Sequence, residues 1–387
     1  MKNTFKSSKG ITLVALVITI VILIILAGIS ISTLTNTGIF QKVQDSKKVT
    51  KNTEKEQRKT LDEYEKELNK YVALELTDDK INKVLNKTQN TVLKDVNGNI
   101  FTLPAGFKVV VNEDTENSKT VDKGIVIEDA TVNSDGNPTA TNGSQFVWVP
   151  VDEVTKLDGT KELIKLDRYD FNMENGNESE YSGEYIEEDI NDETTIKKYG
   201  NSIARNLEEF KVSVNKNRGY YIGRYEARTV TQRKRGDELT QITEIGSNNI
   251  YNFVTQAQAS ELSKEMYDSE LPFSSDLINS YAWDTAITFI QKCTDKKRYS
   301  YQTSINDYLL QTGTVGQAIE DKECNIYDMA SNIVEYTTET APKQDKPCGY
   351  RGGIINNNNC IASGRGDYAL DTNHDGLGFR PILFIMD

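Results

Sequence analysis

Histidine is almost missing from this chain: His374 is the only one among 387 residues. A Ser-His-Asp or Cys-His catalytic unit needs an imidazole beside its nucleophile, and structural zinc sites cluster Cys with His, so the composition disfavours both. Cysteine is scarce as well. Cys293, Cys324, Cys348 and Cys360 are the full set, and none is spaced as CxxC. Four thiols allow three complete pairings, among which the sequence does not choose. Nor does basic charge predominate, because 45 Lys and Arg face 58 Asp and Glu for a net charge of −13. Binding to nucleic acid requires clustered Lys and Arg to neutralise phosphates, so this balance argues against such a partner.

Charge is absent altogether between Lys9 and Lys42, and within that gap Ile11 to Ile31 is a nearly unbroken apolar run. At roughly 1.5 Å of rise per residue, a helix of about 20 apolar residues spans the hydrocarbon core of a bilayer. The run is longer than the apolar region of a secretory signal, and no small-residue cleavage site follows it. Lys2, Lys6 and Lys9 precede it. The positive-inside bias then keeps Met1 to Gly10 cytoplasmic and exports everything after Ile31. The expectation is a single-pass protein of the cell membrane with its C-terminal domain extracellular.

From Gln41 to Leu76 the chain is rich in Lys, Glu, Gln and Asn, lacks Pro and Gly, and carries Leu61, Tyr64, Leu68, Tyr71 and Val72 at helical spacing. This predicts a solvated helical stalk. Further on, Asp95 to Asn99 is a hairpin turn, and Phe107–Val111, Gly124–Ile127 and Gln145–Val149 are strand-like. Lys211–Val214 and Tyr220–Tyr225 are expected to form a strand pair around the turn Asn215–Gly219. Helices are expected over Asp276–Cys293 and Thr303–Gln311. Acidic residues crowd Glu174 to Glu193, including Glu178, Glu180, Glu184, Glu187, Glu188, Asp189, Asp192 and Glu193. They read as a solvated insertion loop, with weak cation binding as the lesser alternative. Mixed short strands, few helices and long connections give the fold class as α+β: a long N-terminal transmembrane and stalk α-helix followed by a loop-rich domain.

The string Lys9-Gly10-Ile11-Thr12-Leu13-Val14-Ala15 and the apolar residues after it resemble the leader and first helix of a type IV prepilin or pseudopilin. The resemblance implies that a prepilin peptidase cuts after Gly10 and methylates Ile11, with other pilin-like subunits as further partners. Ala15 departs from the pattern, since most pilins carry a glutamate there.

A second set of phrases occurs in order between Phe146 and Arg380. They are Phe146-Val147-Trp148-Val149-Pro150, Tyr221-Ile222-Gly223-Arg224-Tyr225-Glu226-Ala227, Tyr281-Ala282-Trp283-Asp284-Thr285-Ala286, Asn325 to Tyr336, Arg351-Gly352-Gly353 and Gly378-Phe379-Arg380. Together they resemble the formylglycine-generating enzyme or sulfatase-modifying-factor family, whose core is related to C-type lectin-like folds. Ile326, Met329, Ile333 and Tyr336 are expected to be buried. Asp328, Asn332 and Glu335 are expected to brace neighbouring loops through hydrogen bonds. That family binds copper through two cysteines five residues apart shortly after Arg-Gly-Gly. Here a single Cys360 follows Arg351-Gly352-Gly353, and Cys348 precedes it. The thiolate pair that copper(I) prefers is absent at that spacing, so no enzyme activity is expected.

The stretch from Arg351 to Arg380 also resembles the variable region of lectin-like proteins diversified by retroelements. There, mutagenised Asn codons scatter residues over a binding face while Arg-Gly-Gly, a cysteine and Gly-Phe-Arg stay fixed. The resemblance implies ligand contacts from Asn356, Asn357, Asn358, Asn359, Ile361, Ser363, Arg365, Asp367, Tyr368, Asp371, Asn373, His374 and Asp375. Asp371-Thr372-Asn373-His374-Asp375-Gly376 also matches the first half of a calcium loop, but Ile382 stands where the loop needs a bidentate Glu. Asp371, Asn373 and Asp375 are therefore weak calcium candidates, and no other cofactor is expected.

These readings divide the chain into a leader at 1–10, a pilin-like transmembrane helix at 11–33, a stalk at 34–77, a strand-rich connection at 78–140, and a lectin-like domain at 141–387 whose binding region is 351–380. The expected function is a membrane-anchored surface protein that binds an external protein or glycan. The alternatives are a minor pilin or pseudopilin subunit and, third, a copper-dependent formylglycine-generating oxidase.

Overall fold

The computed structural model describes residues 72–115, 118–130, 143–187, 207–242, 249–267, 270–303, 321–354 and 360–386. The chain divides between Leu61 and Asp62, and all of these residues belong to the second unit. That unit opens with β1 (Leu74–Glu75), β2 (Thr91–Lys94), β3 (Ile100–Leu103), β4 (Phe107–Val109) and β5 (Val126–Asp129). There follow β6 (Gln145–Pro150), β7 (Asp152–Thr155), β8 (Lys161–Ile164), β9 (Tyr169–Phe171), β10 (Glu178–Glu180) and helix α1 (Leu207–Asn217). Next come β11 (Gly219–Gly223), β12 (Arg228–Thr229), β13 (Asn249–Ile250), α2 (Gln256–Lys264), β14 (Phe273–Leu277) and α3 (Ser280–Cys293). The chain closes with β15 (Lys322–Glu323), β16 (Ile326–Tyr327), β17 (Val334–Thr340), β18 (Cys348–Arg351), β19 (Arg365–Tyr368), β20 (Leu377–Phe379) and β21 (Pro381–Ile385).

Two sheets carry the architecture. Six antiparallel strands run in the order β14-β21-β11-β6-β5-β4, and four run in the order β19-β18-β17-β20. β20 pairs with β17 in parallel, setting Phe379 beside Tyr336. Arg380 is the one residue between β20 and β21, so the chain passes there from the second sheet directly into the first. The central strands β6 and β11 read as continuous apolar runs because both their faces are covered. Val147, Trp148, Val149, Tyr220, Tyr221 and Ile222 have no exposed surface. Because β5 pairs with β6, residues of the expected connecting region are part of this same sheet.

Each helix lies against a sheet through a short apolar stripe. α1 buries Leu207, Phe210 and Val214, with the Phe210 ring edge-on to Tyr220 and Phe384. α2 starts with a capping box in which Thr255 and Gln258 satisfy each other's backbone N–H. α3 is capped by the Asn279 side chain, which accepts from Ala282 N, and is buried along most of its length.

Several expectations are corrected here. The described unit is predominantly β, with α-helices of 11, 9 and 14 residues. No helix among the described residues is long and apolar enough to cross a membrane. An α+β fold led by a long N-terminal helix is therefore not what the structure displays, because the described residues form mainly short strands in sheets, joined by three short α-helices. The leader, the apolar run, Gly10, Ile11 and most of the expected stalk lie outside the described residues. Lys211–Val214 is helix, not strand, since Leu207, Phe210 and Val214 recur at helical spacing and pack on β11 and β21. Of the expected helix Thr303–Gln311, all but Thr303 lies outside the described residues. Glu187, assigned to a solvated acidic loop, is buried. The strands at Phe107, Gln145 and Tyr220, the hairpin turn at Asp95 and the helix ending at Cys293 stand close to where the sequence put them.

Trp148 packs edge-on against Tyr221 with ring centroids 4.9 Å apart, and Phe379 against Tyr251 at 5.6 Å. Trp148→Ala and Phe379→Ala are each expected to lose about 3–5 kcal/mol of stability, as large buried aromatic truncations do. Denaturant melts check this, and unchanged midpoints would remove these rings from the core.

Candidate functional site

Two buried arginines fasten the ends of the segment between β18 and β21. Arg351, the last residue of β18, has no exposed surface. Its guanidinium donates to the carboxylates of Asp284 on α3 and, at 3.2 Å, of Glu339 on β17. Arg365 stands directly opposite it on β19 and reaches the same two acids, at 2.9 Å to Glu339 and 2.6 Å to Asp284. Arg168 adds a third guanidinium 2.8 Å from Glu339. Burial pushes the Glu339 carboxyl up, but Arg365, Arg351 and Arg168 outweigh it and hold the group at about 2. The Tyr181 ring lies 4.3 Å from the Arg168 guanidinium and 4.0 Å from that of Arg365.

At the other end, Arg380 grips Glu335 with both arms, at 3.0 and 2.6 Å. It also donates at 2.9 Å to the carbonyls of Gly223 and of Tyr327. Burial would lower this guanidinium, yet Glu335 raises it above its ordinary value, so it stays charged. The Asp328–Tyr336 block supports both arginines. Ile326, Met329, Ile333 and Tyr336 are fully buried. Asn332 donates to Glu226 at 3.0 Å, and Asp328 and Asn332 adopt left-handed backbone at φ 63° and 66°. Gly353 fits this block by close approach: a Cβ there would stand 1.9 Å from the Ala330 carbonyl oxygen.

Between those clamps the segment reaches the surface. Tyr368 is half-buried, stacks on Tyr350 with centroids 4.7 Å apart at 27°, and meets the His374 ring edge-on at 5.3 Å. The Tyr350 ring crosses the position a Cβ of Gly366 would occupy, 2.1 Å from its nearest atom, which is why glycine stands there. Asp371 and Asp375 are exposed, and Asn373 and His374 are half-buried. The backbone beneath them is held by Tyr336 Oη on the Thr372 carbonyl at 2.8 Å and Asn252 Nδ2 on the Asp375 carbonyl at 3.0 Å. Burial and Arg235 lower His374 below its ordinary value despite Asp375.

Other expected contact residues are engaged inside the protein. Arg365 belongs to the ion-pair network, and Ser363 donates to the Ser300 carbonyl at 2.8 Å. Asp367 accepts from Lys343 at 2.8 Å and from Tyr185 at 3.4 Å. Ile361 is half-buried, and its carbonyl accepts from Gly364 N at 2.8 Å. Asn356, Asn357, Asn358 and Asn359 lie outside the described residues. Asp371 and Asp375 fall in two successive turns with Asn373 between them, and among the described residues no cluster of three or more His, Cys, Asp or Glu is arranged to hold a metal.

Sequence reasoning missed Tyr350, which stacks on Tyr368, and Leu370, which follows two residues later and is 50% exposed. The alternation of β18, with Arg351 on one face and Tyr350 on the other, was the available signal for Tyr350. It also missed Glu187, whose carboxylate accepts from Ser280 N at the start of α3 at 2.8 Å and from Thr338 at 2.6 Å. Burial, reinforced by Glu339, pushes Glu187 up to about 7.

No family model matches the chain, and no curated protein matches it. Three solved structures are similar to part of it. PvdO from Pseudomonas aeruginosa shares 13% identity over 44% of this chain and 82% of its own, with a TM-score of 0.31. CarF shares 13% over 44% and 87%, with a TM-score of 0.30. Treponema denticola variable protein 1 shares 14% over 42% and 84%, with a TM-score of 0.29. Likenesses at this level bear on neither ligand nor activity.

Glu187 sets a pH dependence. Its pKa lies above the ordinary 4.5 in the folded state. The group therefore stabilises fully below pH 4.5, and that contribution is lost as pH rises through about 7. Relative to Glu187→Gln, the wild type is expected to lose roughly 1.4 kcal/mol per pH unit across that window. Parallel melting curves of the two proteins from acid to neutral pH would contradict it. Glu339 acts oppositely, stabilising above the ordinary 4.5 and losing that contribution as pH falls towards about 2.

Proposed function

We propose that this protein is a surface-displayed, non-enzymatic ligand-binding protein whose contact face is the stretch from Tyr368 to Asp375 together with Tyr350. One observation carries the reading: Arg351 and Arg380 clamp the segment from within the core, while Tyr368, Leu370, Asp371, Asn373, His374 and Asp375 stand half or fully open to solvent between them. Side chains at such positions vary without loss of the fold, because the ends and the backbone of the segment do the holding. Tyrosine and histidine supply rigid contact area at small entropic cost, and Asp and Asn supply adaptable hydrogen bonds. An external protein or glycan suits that chemistry.

Sequence adds the rest of the proposal. Asn356 to Asn359 would extend the face, and the Asn codons between the two arginines fit diversification by a retroelement. The apolar run from Ile11 to Ile31 would attach the protein to the cell membrane after processing at Gly10 by a prepilin peptidase, with other pilin-like subunits as companions. Calcium at Asp371, Asn373 and Asp375 is an auxiliary proposal. No catalytic step and no nucleic-acid partner form part of it.

Arrays of glycans and of extracellular proteins test the reading. Tyr368→Ala and the triple variant Leu370→Ala, Asp371→Ala, Asp375→Ala are expected to lose at least about tenfold in signal on features that the wild type binds, equivalent to 1.4 kcal/mol. Stability should stay within about 1 kcal/mol of the wild type. Equal signals from wild type and variants would place the contact face elsewhere.

A further inference from the structure

We propose that Cys293 and Cys324 are joined by a disulfide that fastens the last residue of α3 to the β15–β16 turn. Both are buried, 4% and 8% exposed. Cys324 Sγ points at the backbone carbonyl of Asp122, 3.8 Å away, and Asp122 lines one cleft with Lys123, Lys156, Thr294 and Cys293. Cys324 thus contacts a residue whose cleft Cys293 also lines, and in this structure both stand as free thiols. Each also lies within electrostatic reach of Asp122 and Lys123, and Cys293 is among the groups that raise the Cys324 thiol.

The second observation is the conformation of Cys324. Glu323 pairs with Ile326, so Cys324 and Asn325 are the two central residues of a tight hairpin, with φ 48° and 64°. Both positive values identify the turn geometry that favours Asn, Asp and Gly. Asn325 fits it and donates to the Gly124 carbonyl at 2.8 Å. A cysteine bears the steric cost of left-handed backbone without the local hydrogen bond that relieves Asn. The thiol's contact lies outside its own hairpin, at the Asp122 carbonyl, and a covalent partner in α3 would account for a cysteine at this left-handed position.

The chemistry balances with a low-molecular-weight disulfide as oxidant. One protein thiolate attacks it, releasing one thiol, and the second protein thiolate displaces the other to form Cys293–Cys324; two protons and two electrons leave the protein thiols. Burial pushes Cys293 up to about 12, so little thiolate exists in the folded protein. The bond therefore forms while the chain folds.

Refolding the full-length chain in detergent with reduced and oxidised glutathione tests the proposal. Trypsin releases Cys293 in residues 293–296, Cys324 in 323–343, Cys348 in 344–351 and Cys360 in 352–365, so each pairing has its own mass signature. The expected product is the 293–296 and 323–343 pair, two hydrogens lighter than its parts and retained in the Cys348→Ser, Cys360→Ser double variant. Cys293→Ser is expected to lower the melting temperature under oxidising conditions and to match the wild type in the presence of a strong reductant. Four free thiols, or any other pairing, would overturn the proposal. So would an equal loss of melting temperature with and without reductant, which would reduce Cys293 to a packing role.

Discussion

Arg380 lies where the chain leaves the four-stranded sheet for the six-stranded one, and its guanidinium satisfies groups on both sides of that passage. A buried charge is costly unless it is paired and its remaining donors are bonded. Here Glu335 neutralises it, and the carbonyls of Gly223 and Tyr327 take other N–H groups. With so many partners from three elements, the side chain has one productive position. The relation between the sheets is set by that position, and the surface segment inherits its C-terminal anchor from it.

The opposite end is held by charge of a different arrangement. Arg351, Arg365 and Arg168 surround Glu339, and the first two also share Asp284. Removing any one partner would strand the others in a medium where unpaired charge is expensive. The network therefore fixes β18 against β19 and both against α3 and β17, and Trp283 on α3 closes it by donating to the Ala362 carbonyl at 2.9 Å. The result is a frame whose rigid parts lie below the surface, with the Tyr350–Tyr368 stack and the segment from Leu370 to Asp375 as its outer edge.

Much of this frame was readable as short phrases without their purpose. Arg351-Gly352-Gly353, Asp328 to Tyr336 and Gly378-Phe379-Arg380 were singled out, and burial of Ile326, Met329, Ile333 and Tyr336 was expected from their chemistry. What the phrases did not disclose was pairing across long separations, such as Arg351 with Asp284 or Arg380 with Glu335. Arg365, Ser363 and Asp367 were grouped with the contact residues because their types suit a polar surface. Their hydrogen bonds to Glu339, Ser300 and Lys343 arise from elements distant in sequence. Glu187 looked solvated for the same reason, since its acidic neighbours share its composition but not its contact with the start of α3.

By itself the sequence determined the apolar run near the start, the acidic balance, the scarcity of imidazole, the strand-like segments from Phe107 onward and the ends of the segment from Arg351 to Arg380. These depend on local composition and on periodicities of two and 3.6 residues, which a single chain displays directly. The tertiary structure alone decided that the described unit is mostly sheet, that Lys211–Val214 is helical, that Tyr350 stands under Tyr368 and that Cys324 sits at a left-handed position in the β15–β16 turn. Each of these follows from burial against partners brought close by the fold, and the free energy of such contacts resides in pairs of residues, not in any single stretch of the sequence.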